Sequence, residues 1–253
     1  MLRQLAIEKG LSESSGFRWR GGEVSRIEGF SDAVFAFAIT LLVVSLEVPK
    51  SFTELLNLLR DVPAFAICFT MVIGIWHAHY TYFRRYGLHD NYTVVLNAIL
   101  LFVVLLYIYP LKFLFSWLIE PVFDLVSGEK PIMHIEMTQV PQLMIVYSLG
   151  YFAVFITLLL MHFHAWRLRG LLSLTALERQ IVKGSLFTYA AHTSISIISI
   201  GLAIPGDAFT TSWAGLIYML VGPVMAVHGR LHGRTLARIR TQETLDPAPG
   251  DDS

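Results

Sequence analysis

Six long apolar runs, separated by polar segments, dominate the pattern of the chain. Each run is close to the roughly 20 residues that an α-helix needs to cross about 30 Å of hydrocarbon. In lipid, a single segment satisfies all its backbone hydrogen bonds only as a helix. The pattern therefore predicts an all-α, polytopic membrane protein with six transmembrane helices at about 31–48, 62–83, 92–116, 141–164, 183–203 and 212–230.

Composition agrees with a membrane protein. Of the 253 residues, 55% are hydrophobic and 15% are charged, whereas about a quarter of the residues of a soluble domain are charged. The formal net charge is zero, which argues against nucleic acid as a partner. The single cysteine, Cys68, lies in an apolar run, so the sequence predicts no disulfide framework.

The distribution of basic residues predicts the orientation. If the N-terminus is cytoplasmic, all but four of the 19 Lys and Arg residues lie on the cytoplasmic side, as the positive-inside rule requires. Both termini are then cytoplasmic. The predicted domains are a cytoplasmic segment at 1–30, a six-helix transmembrane domain at 31–230, and a cytoplasmic, disordered tail at 231–253, whose end is rich in Pro, Asp and Gly.

A charged and polar cluster opens the first span. Arg26, Glu28, Ser31 and Asp32 precede an apolar run that carries no further charge before Glu47. A carboxylate that enters a membrane helix costs about 3 kcal/mol or more unless it is paired or hydrated, so Asp32 is a candidate functional residue. The alternative is that Asp32 only caps the N-terminus of the helix.

One face of the first span combines apolar side chains with a hydroxyl. Ala33, Phe37, Thr40 and Val44 follow each other at spacings of four, three and four, which places them on one stripe of a helix. From the residues alone, such a stripe is expected to pack against a neighbouring helix, with Thr40 bonded back to its own backbone.

The beginning of the first span, Arg26-x-x-x-Phe30-Ser31-Asp32, resembles the signature of the transmembrane-protein-175 family of potassium channels. Similar residues follow in the next two spans, at Trp76, His79, Asp90, Asn97 and Pro110. The resemblance covers about 26–111, the first three spans.

The resemblance implies a potassium-permeable cation channel, a homotetramer with the first helix of each subunit around a central pore. The sequence shows no second repeat and no evident sorting signal, so we expect the plasma membrane. The resemblance also implies a hydrophobic constriction at Phe37, with Thr40 and Val44 on the same wall, in place of a filter of backbone carbonyl groups. K⁺ would pass with modest preference over Na⁺ and other monovalent cations. Family members usually have Leu or Ile at the constriction, so Phe37 is a departure.

The resemblance further implies a motif and gating network that holds the first helix in register, formed by Arg26, Phe30, Ser31, Asp32, His79 and Asn97. Its histidine, His79, would make the network pH-sensitive, since small shifts of its pKa carry His across physiological pH. We expect no cofactor and no metal beyond the permeant K⁺.

Two alternatives come from other classes of protein. Seven of the nine histidines fall near the predicted cytoplasmic ends of spans, and His228 and His232 have the spacing of metal ligands, as in integral-membrane metalloenzymes. His77 with His79 and His162 with His164 are two residues apart, however, and point to different helix faces.

The second alternative is a secondary transporter, which is typically built from internal repeats or broken helices. No catalytic motif is apparent, so we predict that the chain is not an enzyme.

Overall fold

A computed structural model describes residues 16–44, 48–127, 135–136 and 138–245, without the side chains of 57, 122–127 and 242–245. The helices, in chain order, are α1 (Arg26–Val44), α2 (Phe52–Tyr86), α3 (Asn91–Ser127), α4 (Val140–Arg167), α5 (Ala176–Ala203), α6 (Ala208–Leu216), a 3-10 helix (Ile217–Leu220) and α7 (Val221–Leu245). The sixth span consists of α6, the 3-10 helix and the first part of α7. The prediction of six helices long and apolar enough to cross a membrane is confirmed.

Several helices begin earlier than predicted because capping residues precede the apolar runs. Ser25 and Glu28 form a reciprocal capping box, so α1 begins at Arg26 rather than at 31. Thr175 and Glu178 form another, so α5 begins at Ala176 rather than at 183. Ser51 caps α2, which begins about ten residues before its predicted start. The end that was predicted for α1, residues 45–48, lies largely outside the described residues.

The third helix continues through part of the predicted connection. It extends to Ser127 rather than ending near 116, with Pro110 and Pro121 inside it. Proline is tolerated inside a membrane helix where neighbouring groups satisfy the freed carbonyl. Residues 117–127 therefore continue α3.

The sixth span departs from a regular helix just before Pro223. The proline ring clashes with the carbonyl of the residue four positions earlier, Met219, and Pro has no N–H to donate. The backbone tightens into the 3-10 helix at Ile217–Leu220 and returns to α-helix at Val221.

The prediction of disorder from residue 231 onward is wrong for residues 231–245, which continue α7. Leu236 and Ile239 pack against the core of the bundle, and this tertiary contact stabilises the helix beyond the membrane. Residues 246–253 lie outside the described residues.

The helices are arranged with the first and last spans at opposite ends. Among the described residues, α1 packs against α2 and α3, whereas α7 packs against α5 and the 3-10 helix. The centre of the helix bundle is formed by α3, α4 and α5, which contribute much of the buried core. One face of α1 and one face of α7 are therefore left without a neighbour among the described residues.

Hydroxyl groups in the core pair with each other. The Ser148 and Ser199 hydroxyl oxygens are 2.8 Å apart, Ser199 Oγ donates to the carbonyl oxygen of Ala214 at 2.8 Å, and the Tyr218 hydroxyl donates to Ser148 Oγ at 2.9 Å. These bonds join α4, α5 and the sixth span. Ser199, in the fifth span, therefore serves in packing between helices.

The segment before α1 is attached to the far side of the bundle. Phe17 is fully buried, and the backbone N–H groups of Arg20 and Gly21 donate to the carbonyl oxygen of Arg84 at 3.0 and 3.1 Å. The Arg20 guanidinium donates to the buried Glu178 carboxylate at 2.7 Å. The start of α1 is therefore coupled both to the end of α2 and to the start of α5.

Close packing of α3 on α4 depends on a glycine. A Cβ atom at Gly150 would overlap the ring of Tyr107, whereas a Cβ at Gly201, in α5, would meet nothing within 4 Å. We expect Gly150→Ala to lower the free energy of unfolding by about 1–3 kcal/mol, the usual cost of overpacking. Gly201→Ala is the matched control and should be neutral or stabilising by up to about 1 kcal/mol, because Ala favours helix over Gly. Thermal unfolding of the purified protein in detergent measures both; equal midpoints for the two variants would contradict the packing.

Candidate ion pathway and its supporting network

The two faces of α1 have different surroundings. Ser31, Phe35 and Leu42 are buried against α2 and α3. On the other side, the exposed fractions of Phe37 and Val44 are 55% and 69%. Thr40 is exposed on that same side. The residues predicted to line a pore therefore lie together on the face of α1 that no other described part of the chain covers.

Thr40 has a defined hydrogen-bond role. Its hydroxyl donates to the carbonyl oxygen of Ala36 at 2.9 Å, the backbone bond that the packing interpretation expected. Because the proton is used inside the helix, the remaining lone pairs of the oxygen are acceptors on the exposed face. The same geometry thus suits a group that contacts a cation.

The buried face of α1 is held by a chain of three polar side chains. Asn97 Nδ2 donates to Ser31 Oγ at 2.9 Å, and Ser31 Oγ donates to the carbonyl oxygen of Ile27 at 2.8 Å. His79 Nε2 lies 2.8 Å from Asn97 Oδ1. Ser31, Asn97 and His79 are all buried, with at most 3% of any of them exposed. This chain joins α1, α2 and α3.

The directions of these bonds define the protonation of the histidine. Because the Asn97 amide nitrogen is the donor to Ser31, its oxygen is the acceptor, and His79 Nε2 carries the proton between them. His79 Nδ1 is buried without a hydrogen-bond partner among the described residues. The ring lies between those of Phe35 and Phe83, with centroids at 5.6 and 4.7 Å. His79 therefore acts here as a hydrogen-bond donor in an apolar setting.

Asp32 makes a separate contact. Its Oδ1 accepts a hydrogen bond from Trp76 Nε1 at 2.8 Å, which joins α1 to α2 on the exposed side. Asp32 is not the cap of α1, since the capping box of Ser25 and Glu28 lies seven and four residues earlier. The cap interpretation of Asp32 is therefore excluded.

The predicted single network divides into these two contacts. Arg26 and Phe30 belong to neither: both are exposed, and Arg26 makes no hydrogen bond or ion pair with any residue that the structure describes. Helical geometry explains this, because Arg26 and Phe30, four apart, share a face that is turned away from Ser31. Where the prediction had Arg26 in the same network as Ser31 and Asn97, the structure differs.

Glu28 was named from the sequence in the cluster that opens the first span, but its role as a buried carboxylate near this network was missed. Glu28 is 5% exposed, and its carboxylate oxygens lie 4.0 Å from Arg84 Nε and 4.0 Å from His89 Nε2. The signal was present, because Ser25-x-x-Glu28 before an apolar run has the form of a capping box. Glu28 thus combines capping of α1 with charge pairing to α2.

Asp90 begins α3 and connects it to α4. Thr93 Oγ1 donates to Asp90 Oδ1 at 2.7 Å, and His164 Nε2 lies 2.9 Å from Asp90 Oδ2. Burial raises the pKa of the Asp90 carboxyl, but the hydrogen bond from Thr93 and the attraction of the His164 ring outweigh burial, so the pKa lies below the usual 3.8. Asp90 is therefore a structural residue at the start of α3 rather than a member of the chain around Asn97.

The histidines do not assemble a metal site in the part of the chain that the structure describes. The rings of His228 and His232 stack at 5.2 Å, and His228 stacks on Phe187 of α5 at 4.2 Å. The His232 ring contacts the backbone at Gly184 of α5. The pair with metal-ligand spacing is therefore used in packing α7 on α5.

Comparison with known proteins decides the family. A family model described as the endosomal/lysosomal potassium channel TMEM175 matches residues 26–107. A potassium channel of Marivirga tractuosa is 39% identical over 235 residues, which cover 88% of this chain and 93% of the relative. The chain belongs to the TMEM175 family.

Further relatives agree with the TMEM175 assignment. The crystal structure of the potassium channel MtTMEM175, in variant form and in complex with a nanobody fusion protein, has a TM-score of 0.78 and 38% identity, covering 88% of this chain and 99% of that chain. A potassium channel of Chamaesiphon minutus is 35% identical over 107 residues, 39% of this chain and 53% of the relative.

Membership of the TMEM175 family confirms the resemblance predicted from the first three spans and extends it to the last three, which the Marivirga relative also covers. It confirms the six-span, all-α architecture as that of a multi-pass membrane protein. It also confirms that the chain is not an enzyme, because the relatives are named as channels. The metalloenzyme alternative is thereby rejected.

The buried chain of Ser31, Asn97 and His79 yields a stability test. Asn97→Leu would leave Ser31 Oγ and His79 Nε2 buried without their shared partner, at a cost of about 2–5 kcal/mol in unfolding free energy. Ser31→Ala is the matched control: it removes the bond from Asn97 and the bond to the carbonyl oxygen of Ile27, and it leaves the bond between His79 and Asn97, so we expect a smaller loss of about 1–2 kcal/mol. Thermal unfolding in detergent compares the midpoints of the variants. An Asn97→Leu protein with the midpoint of the wild type would show that these buried hydrogen bonds are not required for stability.

Proposed function

We propose that this TMEM175 member is a potassium-permeable cation channel of the plasma membrane whose pore is lined by α1. The observation that carries the proposal is the uncovered face of α1, where Phe37, Thr40 and Val44 lie exposed while the opposite face is buried. Relatives that are named potassium channels support it. Both termini are cytoplasmic in this proposal, in agreement with the distribution of basic residues.

A homotetramer would cover the face of α1 that is exposed in the described part of the chain. Four copies of α1 around a central axis would turn Phe37, Thr40 and Val44 inward. In this arrangement the Phe37 rings form the narrowest ring and exclude water when closed, as in hydrophobic constrictions that gate by dewetting. The small Ala33 and Ala36 on the exposed side of α1 permit the helices to approach closely.

Selectivity in this channel comes from the pore radius and from the hydroxyl groups of Thr40 rather than from a ring of carbonyl oxygens. The Thr40 oxygen retains its acceptor lone pairs on the exposed face. K⁺ loses its hydration shell at lower cost than Na⁺, so a wall with few acceptors favours K⁺ by a modest factor. Asp32, at the start of the same helix, places a negative charge at the inner mouth and concentrates cations there.

The three polar residues behind α1 position the pore wall. Ser31, Asn97 and His79 fix the rotation of α1 about its axis, and Trp76 fixes its start through Asp32. A rotation of α1 that moved Phe37 away from the axis would break these bonds. Gating in this proposal therefore involves movement of α1 together with α2 and α3, or rotation of the Phe37 side chains alone.

The effect of Phe37→Ala on cation flux is the direct test of the constriction. In liposomes that contain the purified protein, we expect Phe37→Ala to raise the single-channel conductance severalfold and to bring the K⁺/Na⁺ permeability ratio closer to one, because the variant widens the narrowest ring. Phe209→Ala is the matched control, since Phe209 is 72% exposed in α6 at the other end of the protomer. Wild-type conductance in Phe37→Ala would place the constriction elsewhere, and an absence of cation flux in every form would reject the channel.

The charge of Asp32 can be separated from its hydrogen bond. Asp32→Asn keeps an acceptor for Trp76 but removes the charge, and Trp76→Phe removes the bond but keeps the charge. We expect Asp32→Asn to lower the conductance about twofold to fivefold at 10 mM KCl and to match the wild type at 1 M, since the Debye length falls from about 30 Å to 3 Å.

The comparison with Trp76→Phe defines the result that would contradict a role for the Asp32 charge. A Trp76→Phe channel with the conductance of Asp32→Asn at both salt concentrations would show that Asp32 acts by holding α1 and not by its charge. Size-exclusion chromatography of both variants establishes that the assembly is intact before the currents are compared.

A further inference from the structure

Three arginines form an exposed stripe on α7. Arg230, Arg234 and Arg238 are spaced by four residues, so their side chains follow one another along one side of the helix. All three are exposed, and within the described part of the chain no hydrogen bond or ion pair involves them. The stripe is thus a row of guanidinium groups that the protomer itself does not neutralise.

The stripe lies opposite the packing face of α7. His228, His232, Leu236 and Ile239 contact α5 and the core. At about 100° per residue, the arginines lie roughly half a turn around the helix from these residues. Because α7 has no contact with α1 among the described residues, the stripe is on the periphery of the protomer, away from the proposed pore.

The position of the stripe along the sixth span matches the headgroup layer. Exposed apolar side chains, including Met219, Leu220 and Val227, precede it. The roughly 20 residues that cross the hydrocarbon core, counted from Ala208, end near Val227. Arg230 then lies where the core meets the headgroups, and the eight residues to Arg238 cover about 12 Å, at 1.5 Å per residue, through and just beyond that layer.

We propose that this stripe binds the phosphate groups of anionic phospholipids in the leaflet at which α7 leaves the membrane. Guanidinium groups bind phosphate oxygens in bidentate fashion, and clustered basic residues next to a membrane helix attract anionic lipid. With both termini cytoplasmic, this is the inner leaflet, which carries the anionic lipid. The proposal rests on that orientation but not on ion conduction, so a binding measurement tests it separately from the channel.

The test measures lipid binding by the purified full-length protein in detergent, by native mass spectrometry with added phosphatidylglycerol or phosphatidylcholine. We expect the wild type to prefer phosphatidylglycerol. The triple variant Arg230→Gln, Arg234→Gln, Arg238→Gln should bind phosphatidylglycerol at least tenfold more weakly, since each basic residue near a membrane surface contributes about fivefold in affinity. Replacing the same three residues by Lys should keep the affinity within about threefold, because the charges remain.

A matched control changes the same helix without changing charge. Thr235→Gln, Ala237→Gln and Thr241→Gln, all at exposed positions of α7, should together leave phosphatidylglycerol binding at the wild-type level. Size-exclusion profiles and thermal midpoints show that each triple variant is folded. Wild-type affinity for phosphatidylglycerol in the Arg→Gln triple variant would overturn the proposal.

Two further outcomes distinguish other occupants. Displacement of phosphatidylglycerol by an equal concentration of inorganic phosphate would identify a general anion site and overturn the assignment to lipid. A tenfold or greater rise in affinity on removal of residues 246–253, which include three aspartates, would assign the stripe to the chain's own end. We expect neither change.

Discussion

Asn97 connects three helices inside an apolar environment, and the orientation of α1 depends on it. Its amide donates to Ser31 of α1 and accepts from His79 of α2, so one side chain of α3 satisfies a buried partner on each neighbour. An unsatisfied polar group in such a place costs about 1–3 kcal/mol, and a slipped or rotated α1 would leave two or three of them. The hydrogen bonds therefore select one rotation of α1, and that rotation turns Phe37, Thr40 and Val44 to the uncovered side.

The start of α1 is attached independently of Asn97. The segment around Arg20 is bonded to the end of α2 and to Glu178 at the start of α5, and Glu28 lies close to Arg84 and His89. These contacts tie α1 to helices at both sides of the bundle. A displacement of α5 is thus mechanically linked to the segment that precedes the proposed pore helix, although α1 and α5 do not pack on each other where the structure describes them.

Much of the fold follows from the hydrophobic pattern, and its errors have identifiable causes. The six spans were predicted correctly because a single apolar segment satisfies all its backbone hydrogen bonds in lipid only as a helix. The predicted helix ends were less accurate. Ser51 and Thr175 cap helices that begin in polar segments, where a hydropathy pattern has no signal. The helix at residues 231–245 was missed because it depends on Leu236 and Ile239 packing against the bundle, a contact between residues distant in sequence.

The sequence by itself determined the class of the protein, the family through its motif, and the common face of Phe37, Thr40 and Val44, since these follow from local spacing and residue type. Only the tertiary structure decided which motif residues meet. Ser31 and Asp32 are adjacent in the chain, yet the first is buried on Asn97 and the second bonds Trp76 on the exposed side, while Arg26 joins neither. The physical reason is that hydrogen bonds depend on distances of about 3 Å between side chains of different helices. The packing of the helices sets those distances. The spacing of residues within a single span gives no information about them.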